Sequence, residues 1–371
     1  MTPERPMGAD AFPVSVEPTA PQHPGSATLY AALDLGTNSC RMLIAQPKGK
    51  QFHVVDSFSK TVQLGHGLEA SGRLSRASME RTIQALRICQ KKILKHEVVR
   101  MRLVATEACR RAKNAHDFIR QVRRETGLQL QIIEPEEEAR LAVVSCAPLV
   151  SPKTEQLLVV DIGGGSTELV WVDLSDVPGA ERPQAIMRLH AGFTPKADGH
   201  PAARVVDWIS VPLGVATLKD QFNDVEDDAA RFALMSWYFE ENLASFSPYN
   251  AAHPRDGFQI IGTSGTITTV AASFLGLKRY DRNKVDGLRM SSDQIDLVIR
   301  DYLSLGPEGR RTDPRIGRDR HALIMSGAAI LQAMMRVWPT DRLSVADRGL
   351  REGLLYAQMS VDGVLEDGPF E

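Results

Sequence analysis

Two short stretches hold the residue types best suited to chemistry. Asp34-Leu35-Gly36-Thr37-Asn38-Ser39 and Asp161-Ile162-Gly163-Gly164-Gly165-Ser166 each place a carboxylate just before a glycine turn and a hydroxyl just after it. Apolar runs that favour strands flank both. An offset of 127 residues, 34 to 161, superposes the two without a gap and matches the Asp, the first Gly and the Ser. Glycine tolerates positive φ and puts no side chain between backbone N–H groups and an anion, so each stretch reads as a phosphate-holding β-hairpin. Either alone is an ordinary hairpin turn. As a matched pair they indicate a duplicated domain, with the two hairpins facing each other across a cleft.

The segments between them supply the scaffold. Residues 1 to 27 carry Pro3, Pro6, Pro13, Pro18, Pro21 and Pro24 among small and polar residues, which predicts a disordered tail. After the first hairpin, Gln51 to Lys60 adds a third strand. A helical period with Met79, Ile83, Leu86 and Ile93 on one side then predicts a helix from Ser75 that covers the sheet. Met101 to Thr106 reads as a buried strand running into Glu107-Ala108-Cys109-Arg110, and Leu128 to Ile133 as another strand. Pro135 and three glutamates mark the start of a helix at Glu134-Pro135-Glu136-Glu137-Glu138-Ala139-Arg140-Leu141. Beyond the second hairpin, Pro178 to His200 breaks every period and reads as a surface insertion, and Ile209 to Leu213 resumes the sheet. Phe258 to Val270 is strand, tight loop and helix, with Ser264 and Gly265 where an anion could sit. Strands and helices alternate throughout, so the fold class is α/β.

Composition narrows the function. At 371 residues and 43% apolar the chain can bury a large core, and its length favours two domains. A net charge of -2 argues against a general nucleic-acid binder, so basic residues for a polyanion must be concentrated locally. Four scattered cysteines suit neither a disulfide framework nor a zinc site, and the nine histidines, His66 and His321 among them, show no metal-ligand spacing. No apolar run is long enough to span a membrane, and no signal-peptide pattern opens the chain. The expectation is a cytoplasmic protein.

The two hairpins, with Ala105-Thr106-Glu107-Ala108-Cys109-Arg110, Glu137-Glu138-Ala139-Arg140-Leu141, Gly262-Thr263-Ser264-Gly265-Thr266 and Asp347-Arg348-Gly349-Leu350-Arg351-Glu352-Gly353, resemble the exopolyphosphatase and guanosine pentaphosphate phosphatase (Ppx/GppA) family from about residue 29 to 358. That family belongs to the actin-like superfamily, with sugar and acetate kinases. The resemblance implies two ribonuclease-H-like domains around an interdomain cleft, a divalent metal, usually Mg²⁺ with Mn²⁺ as the other choice, and a C-terminal helix that packs back on the first domain. It also implies a homodimer. The expected division is residues 28–148 plus about 352–366 as the first domain and 149–351 as the second, with an insertion at 178–208. Longer members append helical domains, including one of the HD type; this chain is expected to be the two-domain core. A common Arg-Ala-Asp signature appears here as Arg320-His321-Ala322, so no catalytic role is carried to that position.

A phosphoanhydride needs charge neutralisation and an in-line water more than covalent chemistry. The amides of Gly36, Thr37 and Asn38 and of Gly163, Gly164 and Gly165 would cradle the terminal phosphoryl group. From residue types alone, Glu136, Glu137 and Glu138 are equivalent first-turn acids that complement a helix dipole. The resemblance selects Glu138 as general base and places Arg110 in the cleft, where it would stabilise charge on the transferring group. Asp161 and Glu138 are carboxylates of the kind Mg²⁺ takes, with Asp34 acting through water. Ser39, Ser166 and Glu168 could bind phosphate or metal-bound water, or pair within their own hairpins. The arginines from Arg310 to Arg320 either track a long polyphosphate or form a solvated loop. The expected reaction is release of terminal phosphate from inorganic polyphosphate, with hydrolysis of guanosine pentaphosphate as the alternative; a superfamily kinase and a non-catalytic polyphosphate sensor are the other classes.

Overall fold

A computed structural model describes residues 28–194, 201–250, 256–317 and 320–366. The expected tail, residues 1–27, lies outside them. Two mixed sheets share one topology. The first holds β1 (Tyr30–Leu35), β2 (Ser39–Lys48), β3 (Gln51–Thr61), β4 (Arg100–Ala105) and β5 (Gln131–Ile132), in the order β3-β2-β1-β4-β5. The second holds β6 (Gln156–Ile162), β7 (Thr167–Asp173), β8 (Arg204–Val211), β9 (Phe258–Thr263), β10 (Arg289–Met290) and β11 (Leu343–Ala346), in the order β8-β7-β6-β9-β11-β10. In each, three antiparallel strands are followed by strands parallel to the first, and the second sheet adds β10 antiparallel at its edge. The strand ends that bear Asp34 and Asp161 are therefore equivalent points in two copies of one sheet.

Burial explains the strand patterns. β1 and β6 are central, covered on both faces, and nearly continuous in apolar residues. β3 is an edge strand and alternates between exposed and half-buried positions. The helix Arg76–Lys95 begins where Ser75 accepts a hydrogen bond from the Ser78 amide, and Ala115–Thr126 ends at Gly127 in the left-handed conformation. Both cover the outer face of the first sheet through Ile83, Leu86, Phe118 and Val122.

Two helices lie between the sheets. Pro135–Ser145 buries Ala139, Val143 and Val144 against Leu157, Val159 and Val170 of the second sheet, and turns Leu141 toward the first. Leu350–Val361 buries Leu350, Leu354 and Leu355 against Tyr30, Ala32 and Leu43 of the first sheet. Gln358 donates to the Ala31 carbonyl, and the Tyr30 hydroxyl to Asp362. Where the two helices cross, Gly353 allows contact: a Cβ there would lie 2.0 Å from the Leu141 carbonyl oxygen, which belongs to rigid helix backbone.

Three expectations change. Arg182–Arg188, inside the expected surface insertion at 178–208, is a helix with Pro183, Ala185 and Ile186 buried. Pro183 sits in the first turn of this helix and does not break it, because that turn has no use for its missing N–H. β8 also begins at Arg204, five residues before the expected start, since it is an outer strand with mixed polarity. The insertion's residues 195–200 lie outside the described residues. Within the Arg310–Arg320 run, three arginines are spent on ion pairs inside the fold: Arg310 is buried on Asp228 and the Tyr302 carbonyl, Arg311 pairs with Glu308, and Arg315 with Asp301 and Asp313; Arg318 lies outside the described residues. No helix among the described residues is long and apolar enough to cross a membrane.

Gly353→Ala should force the two central helices apart. Overpacking of this kind costs about 1–3 kcal/mol, so a clear fall in thermal midpoint is expected; an unchanged midpoint would contradict this account of the crossing.

Candidate active site

Both carboxylate-bearing strands end in the same closed turn. The Gly36 amide donates to the Ser39 carbonyl at 2.9 Å, and the Gly163 amide to the Ser166 carbonyl at 2.9 Å. The two loops then meet. A Cβ on Gly164 would lie 3.2 Å from the Asn38 nitrogen, and one on Gly165 would lie 2.4 Å from Thr37 Oγ1 and 2.9 Å from Glu107 Cγ. At Gly165 a side chain would force its neighbours to shift, and at Gly164 it would crowd them.

Beneath the contact is a cavity of about 310 Å³. Asp34, Asp161 and Glu138 line it, as do all ten residues expected to hold phosphate: Gly36, Thr37, Asn38, Ser39, Gly163, Gly164, Gly165, Ser166, Ser264 and Gly265. Glu138 arrives from the first turns of Pro135–Ser145 and is only 9% exposed. Ser264 caps the helix Gly265–Phe274, accepting from the Ile267 amide at 3.0 Å.

Two expected residues do not line the cavity. Arg110 stands behind it, donating to Glu138 Oε2 at 2.7 Å, to the Ile133 carbonyl at 2.9 Å and to Glu107 Oε2 at 2.9 Å. Its guanidinium is thus committed to two carboxylates. Glu168 is buried beside Asp161, its register partner across the second hairpin, and accepts from the Ser210 hydroxyl at 2.8 Å.

Sequence reasoning gave no role to Arg41, Arg348 or Arg351, and named Arg320 only within the run that could track a polyphosphate. Arg41, Arg320, Arg348 and Arg351 line the cavity. Arg348 pairs with Asp286, and Arg320 donates to the Gly265 carbonyl. Arg41 faces Asp34 across the first hairpin, at the position that the 127-residue offset maps onto Glu168. The duplicated hairpins therefore differ in sign at this point. That reversal was visible in the superposed stretches, and it is the signal that marks Arg41.

The sequence model of the Ppx/GppA phosphatase family matches residues 43–361. The chain belongs to this family. A guanosine-5'-triphosphate,3'-diphosphate pyrophosphatase of Aeromonas salmonicida (strain A449) is 26% identical over 331 residues, which cover 89% of this chain and 59% of that protein. The chain thus spans less than two thirds of the length of that curated relative. Among solved structures, the Ppx/GppA family member of Aquifex aeolicus is 30% identical, with a TM-score of 0.70 over 91% of this chain and 99% of that one. An exopolyphosphatase from Cytophaga hutchinsonii shares the fold, with a TM-score of 0.74 and 21% identity over 91% of this chain and all of its own. The α/β fold with two ribonuclease-H-like sheets is accordingly of the actin-like type.

Negative charge is crowded in the Ppx/GppA site. Desolvation inside the fold, followed by the charges of Glu138 and Asp34, pushes Asp161 up to about 8. Burial and then Asp161 push Glu168 up to about 7. Glu138 is raised by burial and by Glu168, against the pull of Arg110, and Asp34 is raised by burial against Arg41 and Arg351. Among the described residues, no three His, Cys, Asp or Glu side chains come together closely enough to hold a metal ion alone. The donors that do line the cavity include carboxylate oxygens whose mutual repulsion the nearby arginines offset only in part. They suit a hard divalent cation that completes its shell with water and substrate phosphate.

These shifts predict how stability depends on pH in metal-free protein. Asp161 moves from 3.8 to about 8 and Glu168 from 4.5 to about 7, so both bind protons more tightly folded than unfolded. Their contribution is complete below about pH 4 and is lost as pH rises through about 7 to 8. In chelator, Asp161→Asn should therefore lose stability less steeply than wild type between about pH 5 and 8, measured by urea denaturation. Parallel profiles would contradict the crowding.

Proposed function

We propose that this protein hydrolyses phosphoanhydrides, releasing terminal phosphate from inorganic polyphosphate. The observation that carries the reading is Glu138: a buried carboxylate, held by Arg110, lines the same cavity as both glycine loops. A cleft that only binds phosphate has no need of a carboxylate so costly to bury.

In this reading the loops bind the terminal phosphoryl group through backbone amides, which also take up charge as the anhydride breaks. Arg41, Arg320 and Arg351 contact the phosphates behind it. Glu138 accepts a proton from the attacking water. Arg110 acts by holding Glu138, a positioning role in place of the direct contact with the transferring group expected from sequence. Its charge opposes the desolvation of Glu138 and favours the ionised form that a base needs. Asp161 and Glu138, with Asp34 through water and Glu168 supporting Asp161 from behind, are the residues that would hold Mg²⁺ or Mn²⁺. The cation would neutralise charge on the phosphate oxygens. Residues 28–148 with 352–366 and residues 149–351 form the two lobes of this reading, in a cytoplasmic homodimer that binds neither nucleic acid nor membrane.

A second substrate is supported by the Aeromonas relative, whose name is that of a guanosine pentaphosphate enzyme. The 5′-triphosphate end of that nucleotide presents the same terminal anhydride. Phosphate release from polyphosphate, guanosine pentaphosphate and ATP, with Mg²⁺ and no acceptor, separates the readings. Release from polyphosphate at the highest kcat/KM is expected. Release only in the presence of an acceptor would indicate a kinase, and binding without release a sensor; either result overturns the proposal.

Glu138→Gln should lower kcat by roughly 10² to 10⁴, the usual contribution of a general base, while polyphosphate binding is retained. Near-normal turnover would remove Glu138 from this role.

A further inference from the structure

The Gly163–Gly165 loop offers amides to the cavity only because something behind it takes its carbonyls. The Val215 amide donates to the Gly163 carbonyl at 2.9 Å, the Ala216 amide to the Gly164 carbonyl at 2.8 Å, and the Thr217 hydroxyl to the Gly165 carbonyl at 3.1 Å. Val215 and Ala216 open the helix Val215–Gln221, so these amides are donors that a helix leaves without internal partners. Each side satisfies the other.

The consequence follows from peptide geometry. No described peptide bond is cis, and in a planar trans peptide the C=O and N–H point in opposite directions. With the carbonyls of Gly163, Gly164 and Gly165 turned to the helix, the amides of Gly164, Gly165 and Ser166 turn the other way, toward the cavity that these residues line. Three successive donors then converge on one side. Gly214 makes the approach possible: a Cβ there would lie 2.5 Å from Gly164 C and from Gly165 N.

The first loop is backed in the same manner by the segment leaving its own third strand. Gly65 donates to the Thr37 carbonyl, and Val62 and Gln63 donate to the Asn38 carbonyl. That backing consists of main chain. In the second loop the third donor is a side chain, and it is the one point where the device can be removed by a single substitution. Thr217 Oγ1 is fixed in turn by the Gly214 amide, which donates to it at 2.7 Å; the Gly214 carbonyl at 3.2 Å is the alternative acceptor for its hydroxyl proton.

We infer that Thr217 is a positioning residue for phosphate: its hydroxyl holds the Gly165–Ser166 peptide so that the Ser166 amide faces the bound phosphoryl group. The inference rests on the proposed function for the identity of the anion. Without the hydroxyl, the Gly165 carbonyl loses its partner and the peptide is free to rotate, which replaces a donor by an acceptor facing a phosphate oxygen.

Thr217→Val keeps the shape and removes the hydroxyl; Thr217→Ser keeps the hydroxyl. Calorimetric titration with tripolyphosphate and Mg²⁺, steady-state phosphate release and thermal midpoint are compared for all three proteins. The Val variant should bind at unchanged stoichiometry with roughly tenfold weaker affinity. Its kcat should fall by roughly tenfold or more, short of the 10²–10³-fold loss that deletion of a whole oxyanion donor causes. The Ser variant should restore both. Wild-type affinity and kcat in the Val variant overturn the inference. So does a fall in stoichiometry and midpoint at unchanged affinity, which assigns Thr217 to folding alone. Wild type that binds tripolyphosphate but releases no phosphate contradicts the hydrolase reading and leaves the affinity comparison to decide the role of Thr217. Wild type that binds none overturns both.

Discussion

The structure depends on carboxylates gathered at one point, most of them without a cation at bonding distance. Asp34 and Asp161 end two equivalent strands, Glu138 enters from the helix between the sheets, and Glu168 stands behind Asp161. Among the described residues, only Glu138 of these four has a guanidinium at bonding distance, and Arg110 divides itself between Glu138 and Glu107. Ordinary folding would neutralise or expel such a group. Its persistence makes sense if ligands finish the electrostatics: a cation between the carboxylates, and an anion that brings the arginines and the loop amides into use. Metal and phosphate would then complete each other's site.

Duplication explains how the charge is assembled, and divergence explains why it does something. Both sheets run in the same order, both loops close with the same Gly-to-Ser hydrogen bond, and both are backed from the segment after the third strand. At one pair of equivalent positions the copies differ, Arg41 against Glu168. The first hairpin thereby sets a cation beside its aspartate, and the second sets another carboxylate beside its own. The two central helices, in contact through Gly353, join the sheets and bring Glu138 to the meeting point. Any change that alters their crossing therefore also moves the proposed base.

Much of this was legible in the sequence, because strand–glycine–hydroxyl signatures are local. The hairpins, the helix start near Ser75, the Pro135 helix start and the α/β alternation follow from neighbouring residues. The residues expected to hold phosphate line one cavity for the same reason. What stayed hidden depends on distance. Arg110 looked like a charge that reaches the substrate, and only the tertiary structure shows it spent on Glu107 and Glu138. Arg348 and Arg351 arrive from the end of the chain, and Arg310, Arg311 and Arg315 find carboxylates that no local pattern reveals. The helix at Arg182–Arg188 was obscured by Pro183, whose meaning depends on whether it starts a helix or interrupts one.

The central claim is that divalent cation and phosphate complete one site, with Asp161 at its centre. Its most direct test is a titration of Mn²⁺ into metal-free protein, followed by electron paramagnetic resonance, with and without a non-hydrolysable polyphosphate analogue. The account predicts weak Mn²⁺ binding alone, strong enhancement by the analogue, and loss of that enhancement in Asp161→Asn. Tight Mn²⁺ binding without the analogue, or enhancement that survives Asp161→Asn, would contradict it.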